Sequence, residues 1–171
     1  MEKLSKLAKV FLFLCVLSGI LWFGGYTLRL FLTFQLYEPK ALVLKPYLNS
    51  GNIPATVIAL NTAVIYTFVL FPIFIITFFL TLVTSKVSLK QEGWLFIILL
   101  IVIITAPFEI YLMVIDFDVL SKVFSQNFNS AEIINLYTKR LTVLSSFSLI
   151  EIFSYCGIIF LLLFRPLRRH K

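Results

Sequence analysis

WLFIILLIVIITAPFEIYLMVI, the stretch from Trp94 to Ile115, decides the fold. Its single charged residue is Glu109, and the rest is almost wholly apolar or aromatic. As a helix, about 20 such residues cross a hydrocarbon core of about 30 Å. Three further stretches read the same way. They are Val10 to Tyr37, interrupted by Arg29; Ala55 to Val83, carrying Pro72; and Leu141 to Phe164, carrying Glu151. In lipid every backbone polar group must be paired within its own segment or around a closed barrel. Barrel strands alternate apolar and polar residues over about ten positions. These runs are longer and unbroken. The expected fold is therefore an all-α integral membrane protein, a four-transmembrane-helix bundle forming a single membrane domain over residues 1–171. The spans are expected at about 10–37, 55–83, 94–115 and 141–164.

Composition agrees. The 171 residues are 60% hydrophobic and 13% charged, with a mean hydropathy of +1.01. Soluble domains run near 25% charged. A chain of this size has too little interior to hide so much apolar surface from water. The net charge of +7 belongs to segment ends and forms no basic aromatic stripe, so no nucleic-acid partner is expected. The expected surroundings are the lipid bilayer of a cell inner membrane or plasma membrane, crossed several times.

Orientation follows from the basic residues. Segments 1–9, 84–93 and 165–171 hold Lys3, Lys6, Lys9, Lys86, Lys90, Arg165, Arg168, Arg169 and Lys171. Segments 38–54 and 116–140 hold Lys40, Lys45, Lys122, Lys139 and Arg140. Nine basic residues in 26 positions against five in 42 put the first set, with both termini, in the cytoplasm. The lysines before the first apolar run resemble a signal peptide. No small-residue cleavage site follows, so an uncleaved first helix is expected. Cys15 follows bulky Phe13 and Leu14, unlike a lipoprotein signal. Tyr37 and Trp94 are expected at headgroup level. Segment 38–54, with Pro39, Pro46, Gly51 and Pro54, is expected to be irregular. Within 116–140, Asn129 and Glu132 suggest a capped helix. Its apolar residues Ile133, Ile134, Leu136 and Tyr137 would lie on the membrane surface or extend the fourth helix outward.

Charged side chains inside spans are costly and normally face a bundle interior or water. At about 1.5 Å per residue, Arg29 and Glu109 fall in the outer halves of their spans and Glu151 near the midplane. Polar stripes at helical spacing accompany them: Ser18, Trp22, Gly25 and Arg29; Asn61 or Thr62, then Tyr66; Thr105, Glu109 and Met113; Ser148, Glu151 and Tyr155. The expected intramembrane polar cluster is therefore Arg29, Glu109, Glu151, Tyr155, Ser148 and Asn61. An Arg29–Glu109 ion pair is expected, with Glu151 nearby, protonated and hydrogen-bonded by Tyr155. Gly25, Ser18 and Ser148 would permit close helix approach. Pro107 would bend its helix beside Glu109 and open space there.

Several chemistries are disfavoured. The one histidine, His170, lies in the basic tail, so paired-histidine haem is not expected. Cys15 and Cys156 sit in apolar runs with no metal-like spacing, and no metal or other cofactor is expected. There is no P-loop, HExxH or GxSxG motif. Ser145, Ser146 and Ser148 lie near Glu151 without a histidine or lysine to activate them. The tail from Arg165 to Lys171 is read as a topology anchor able to meet anionic lipid.

Leu21-Trp22-Phe23-Gly24-Gly25 resembles the first-helix pattern of copper-resistance-type four-helix membrane domains. The resemblance covers one helix. The intramembrane histidines of some of those proteins are missing, and no functional residue carries over.

The expected function is that of an accessory, assembly or structural partner in the membrane, acting on another membrane protein or as a homo-oligomer. The alternatives are a proton- or cation-coupled transporter or channel subunit using Glu109 and Glu151, and a lipid-modifying enzyme using Asp116 or Asp118 at the outer face.

Overall fold

A computed structural model describes residues 4–38, 42–125, 128–144 and 146–167. Lys3, Pro39, Lys40, Ser145 and the tail from Arg168 to Lys171 lie outside the described residues. The described chain is helical, with one isolated bridge between Tyr37 and Leu44. The helices are α1 (Lys6–Phe34), α2 (Ile53–Ser85), α3 (Gly93–Phe124), α4 (Ser130–Val143) and α5 (Phe147–Phe164). All but α4 are long and apolar enough to cross a membrane.

Local chemistry sets the helix ends. The Ser5 hydroxyl accepts from the Ala8 amide at 3.1 Å and opens α1. Pro54 occupies the first turn of α2, where its missing N–H costs nothing. The Asn129 side chain accepts from the Ala131 amide and starts α4, as its cap-like sequence suggests. Segment 42–52 is a folded turn with no helix. Lys45 donates its amide to the Leu36 carbonyl, and the Asn52 side chain donates to the Tyr47 carbonyl.

Helix α1 packs along α2, α2 on α3, and α3 on both α4 and α5. Gly25 allows the first contact: a Cβ there would come within 2.6 Å of the Tyr66 ring. The hydroxyls of Ser18 and Thr77 meet at 3.4 Å further along the same seam. Helix α3 starts level with the end of α5. A Cβ on Gly93 would press on Leu167, and the Arg165 guanidinium lies over the Trp94 ring. At its other end α5 reaches only to Phe108, whose ring packs on Phe147 at 4.7 Å. Beyond that level α4 continues the fourth column, running antiparallel to α3 from Arg140 beside Glu109 to Glu132 beside Lys122. The fourth column is thus made of two helices, α4 ending at Val143 and α5 beginning at Phe147, with α4 continuing the column beyond α5.

Three expectations need correction. Helix α3 does not stop at Ile115 but runs on to Phe124, which puts Asp116 inside the helix. Residues 141–143 belong to α4, and α5 begins only at Phe147. Tyr37 is buried; its hydroxyl meets that of Thr138 at 2.9 Å and is no headgroup anchor. The helix also continues through Pro107, whose ring faces outward.

Two apolar clusters fill the interior. One gathers Leu36, Tyr37, Val57, Val64, Val119, Ile133 and Tyr137 around α4. The other stacks Trp22 against Tyr26, Phe71, Phe74 and Tyr155. The charged residues lie between them.

Candidate functional site: a buried ionic network

Each charged residue is carried inward by the inner face of its helix. On α1, Trp22, Tyr26, Arg29 and Thr33 are buried at helical spacing. On α3, Glu109 and Asp116 lie seven residues apart, two turns along one face, with Thr105 and Leu112. On α4, Ile133, Ile134, Tyr137 and Arg140 form the buried stripe, while Glu132, Asn135, Lys139 and Thr142 are exposed. On α5 the buried residues are Ser148, Glu151 and Tyr155. On α2 the buried polar residues are Asn61, Thr67 and Thr77.

Asp116 is the hub. Arg29 clamps it with both terminal nitrogens: Nη1 donates to Oδ2 at 2.7 Å and Nη2 to Oδ1. Arg29 Nη1 also donates to the Thr67 hydroxyl at 3.1 Å. Arg140 donates from Nε to Asp116 Oδ1 at 2.9 Å and from Nη2 to Glu109 Oε1 at 3.1 Å. Two arginines and two carboxylates thereby join α1, α3 and α4, with a hydroxyl from α2. Burial opposes the charge on Arg140, but Asp116 and Glu109 outweigh it and hold Arg140 above its ordinary value. Bidentate arginine–carboxylate bonding adds geometric specificity to charge.

Arg29 therefore does not pair directly with Glu109; Asp116 holds it, and the hydrogen-bonding partner of Glu109 is Arg140. Asp116 and Arg140 were not foreseen as part of the cluster. Asp118 is exposed and does not join Asp116 in an acid pair. Glu151 and Ser148 are buried as the stripe suggested. Tyr155 is buried too, but its hydroxyl faces Thr105 at 3.4 Å. Asn61 is buried, and among the described residues its Oδ1 has no hydrogen-bond partner. Thr62 and Tyr66 face outward, and Thr67 supplies the polar contact from α2.

Glu151 differs from the other acids. It is 0% exposed, and among the described residues neither carboxylate oxygen has a hydrogen-bond partner. Its neighbours are Glu109, Tyr26 and Arg140. Glu109 Oε2 and the Tyr26 hydroxyl, which face the same place, are likewise unpartnered. Buried polar atoms normally find partners, so four orphans in one spot need a physical reason. Among the described residues no group of three or more histidine, cysteine or acidic side chains is arranged to hold a metal ion.

No known protein family, curated protein or solved structure matches this chain, so the first-helix resemblance gains no support beyond Leu21 to Gly25.

Proposed function

We propose that the chain is a multi-pass membrane protein acting through helix packing, as an accessory or assembly partner, with both termini in the cytoplasm. The observation that carries this reading is the closed network around Asp116. Both buried arginines are spent on internal carboxylates, so their charge holds α1, α3 and α4 together. Helix length supports the placement. At 1.5 Å per residue α5 is about 27 Å long, close to a bilayer core, whereas α1, α2 and α3 are about 43–50 Å. Their excess lies at the α4 end, where the outer face of α4 carries Glu132, Asn135 and Lys139. A polar face of that kind belongs in headgroups or water outside the core. Arg140, counted among the outer basic residues, is consumed inside, which sharpens the charge asymmetry behind the orientation.

A specific observation favours the second reading, a proton- or cation-coupled subunit: Glu151 is buried with both oxygens unpaired among the described residues. The outer-face enzyme reading is weaker, because the Asp116 oxygens already accept from Arg29 and Arg140.

Two experiments test this. Asn135→Cys and Lys90→Cys should react with a membrane-impermeant thiol reagent from opposite sides, Asn135→Cys from outside intact cells. Reaction of Lys90→Cys, and not Asn135→Cys, from outside intact cells would overturn the orientation, and reaction of both from the same side would overturn the crossing by α3. For function, weakening the network with Arg140→Gln should lower the protein level and dissolve any native complex. Glu151→Gln should leave both intact. If Glu151→Gln instead abolished an ion flux at unchanged protein level, the transport reading would replace the packing one.

A further inference from the structure

The groups around Glu151 form a second unit beside the arginine clamp. Glu151 on α5 faces Glu109 on α3, Tyr26 on α1 and Arg140 on α4, and Tyr155 follows one turn along its own helix. Helix α2 brings no Asp, Glu, Lys, Arg or His. The charge tally of this buried layer is then short. Arg29 and Arg140 supply two positive charges. Glu109, Asp116 and Glu151 would supply three negative ones. An uncompensated charge in a sealed, apolar-walled layer is costly, and such a layer neutralises itself.

We propose that Glu109, Glu151 and Tyr26 form a proton-binding site, in which one proton is shared between the two glutamates. Glu109 Oε1 already accepts from Arg140, which keeps Glu109 as the acceptor. Glu151 is the carrier. Its protonated oxygen donates to Glu109 Oε2, and its other oxygen accepts from the Tyr26 hydroxyl. That proton partners the donating Glu151 oxygen with Glu109 Oε2 and brings the layer to zero charge; the Tyr26 phenol, donating to the second Glu151 oxygen, completes the set of four. A hard metal cation would cancel the charge as well, but such cations take about six oxygen ligands. The free oxygens here are three from carboxylates and one from a phenol. The inference goes beyond the packing role and does not depend on it. A bundle can hold this proton permanently, or load and release it. Through Glu109 and Arg140, the charge state of the site reaches α4.

Infrared spectroscopy of the purified full chain in lipid vesicles near neutral pH tests it. The wild type should show a protonated-carboxyl band that shifts when glutamate is labelled with carbon-13. Glu151→Gln should remove the band, and Glu132→Gln, at an exposed position, should not. Glu109→Gln gives the sharper result. It balances the charges without a proton, so the band should vanish although Glu151 remains. Absence of the band in the wild type would overturn the proposal, and this needs no variant to fold. So would its persistence in Glu109→Gln or Glu151→Gln, with helicity checked by circular dichroism. Loss of the wild-type band when sodium chloride replaces choline chloride would also overturn it, and would assign a cation site. None of these outcomes bears on whether the protein has a membrane partner.

Discussion

Arg140, on the short helix α4, donates its Nε to Asp116 Oδ1 on α3 at 2.9 Å, and the same oxygen accepts from Arg29 on α1. One carboxylate oxygen thus ties two helices to a third, and it ties the short helix α4 to two helices long and apolar enough to cross a membrane. A surface ion pair, such as Lys122 with Glu132 at 2.5 Å, contributes little because both side chains are exposed. The Asp116 contacts are buried, and removing one partner leaves stranded charge.

Asp116→Asn should therefore destabilise strongly, by about 3–5 kcal/mol, because it removes the charge that Arg29 and Arg140 share and replaces one of its two acceptor oxygens with a donor facing them. Asp118→Asn, two residues on and exposed, should change stability by less than about 0.5 kcal/mol. Thermal or denaturant unfolding in detergent compares them. Equal effects would remove Asp116 from the centre of the network.

The α1/α2 seam depends on Gly25. The atom nearest to an added Cβ belongs to the Tyr66 ring, which is 40% exposed and able to swing away. Gly25→Ala should accordingly be mild. Gly25→Val should cost about 1–3 kcal/mol through overpacking. Adding Tyr66→Ala should recover part of that loss, an interaction seen as non-additivity in a double-mutant cycle. Full additivity would mean that the two helices do not meet there.

Alkaline pH should loosen α4. Burial pushes the Tyr137 phenol up to about 12; nearby Arg29 opposes the rise, and Asp116 and Tyr37 add to it. In the unfolded chain a tyrosine titrates near 10. Between those values the folded state keeps a proton that the unfolded state releases, so stability falls as pH rises from about 10 to about 12. Below about 10 the contribution is fully present. The Tyr37 phenol, also raised by burial, acts with the same sign. Tyr137→Phe should flatten, without abolishing, the fall in melting temperature over that interval. Coincident pH profiles for the two proteins would contradict the burial of Tyr137.

The helical fold was readable because lipid-length apolar runs leave few alternatives, and Glu151 stood out as a charge within such a run. Asp116 and Arg140 did not stand out. Asp116 follows the last apolar residue of its run by one position, where an acid reads as a helix end. Arg140 sits in a polar stretch among loop-like charges. The available signal was spacing. Asp116 lies two turns from Glu109 on the same face of α3. Arg140 lies seven residues from Ile133 and three from Tyr137, on the apolar stripe of α4. A charge on the apolar face of an amphipathic helix calls for a buried counter-charge. Which counter-charge it meets depends on how far α3 extends and where the fourth column breaks, and hydropathy does not locate either.

The most direct test of the network is a nitrogen–carbon dipolar measurement by solid-state NMR. Asp116 and Asp118 are the only aspartates, so carbon-13 labelling of the Asp carboxyl with Asp118→Asn leaves one signal to watch. With nitrogen-15 arginine and the protein in bilayers, that carboxyl should dephase strongly, as expected for guanidinium nitrogens at hydrogen-bonding distance. Arg29→Gln or Arg140→Gln should each weaken the effect in part. An Asp116 carboxyl that does not feel arginine nitrogen would contradict the network outright.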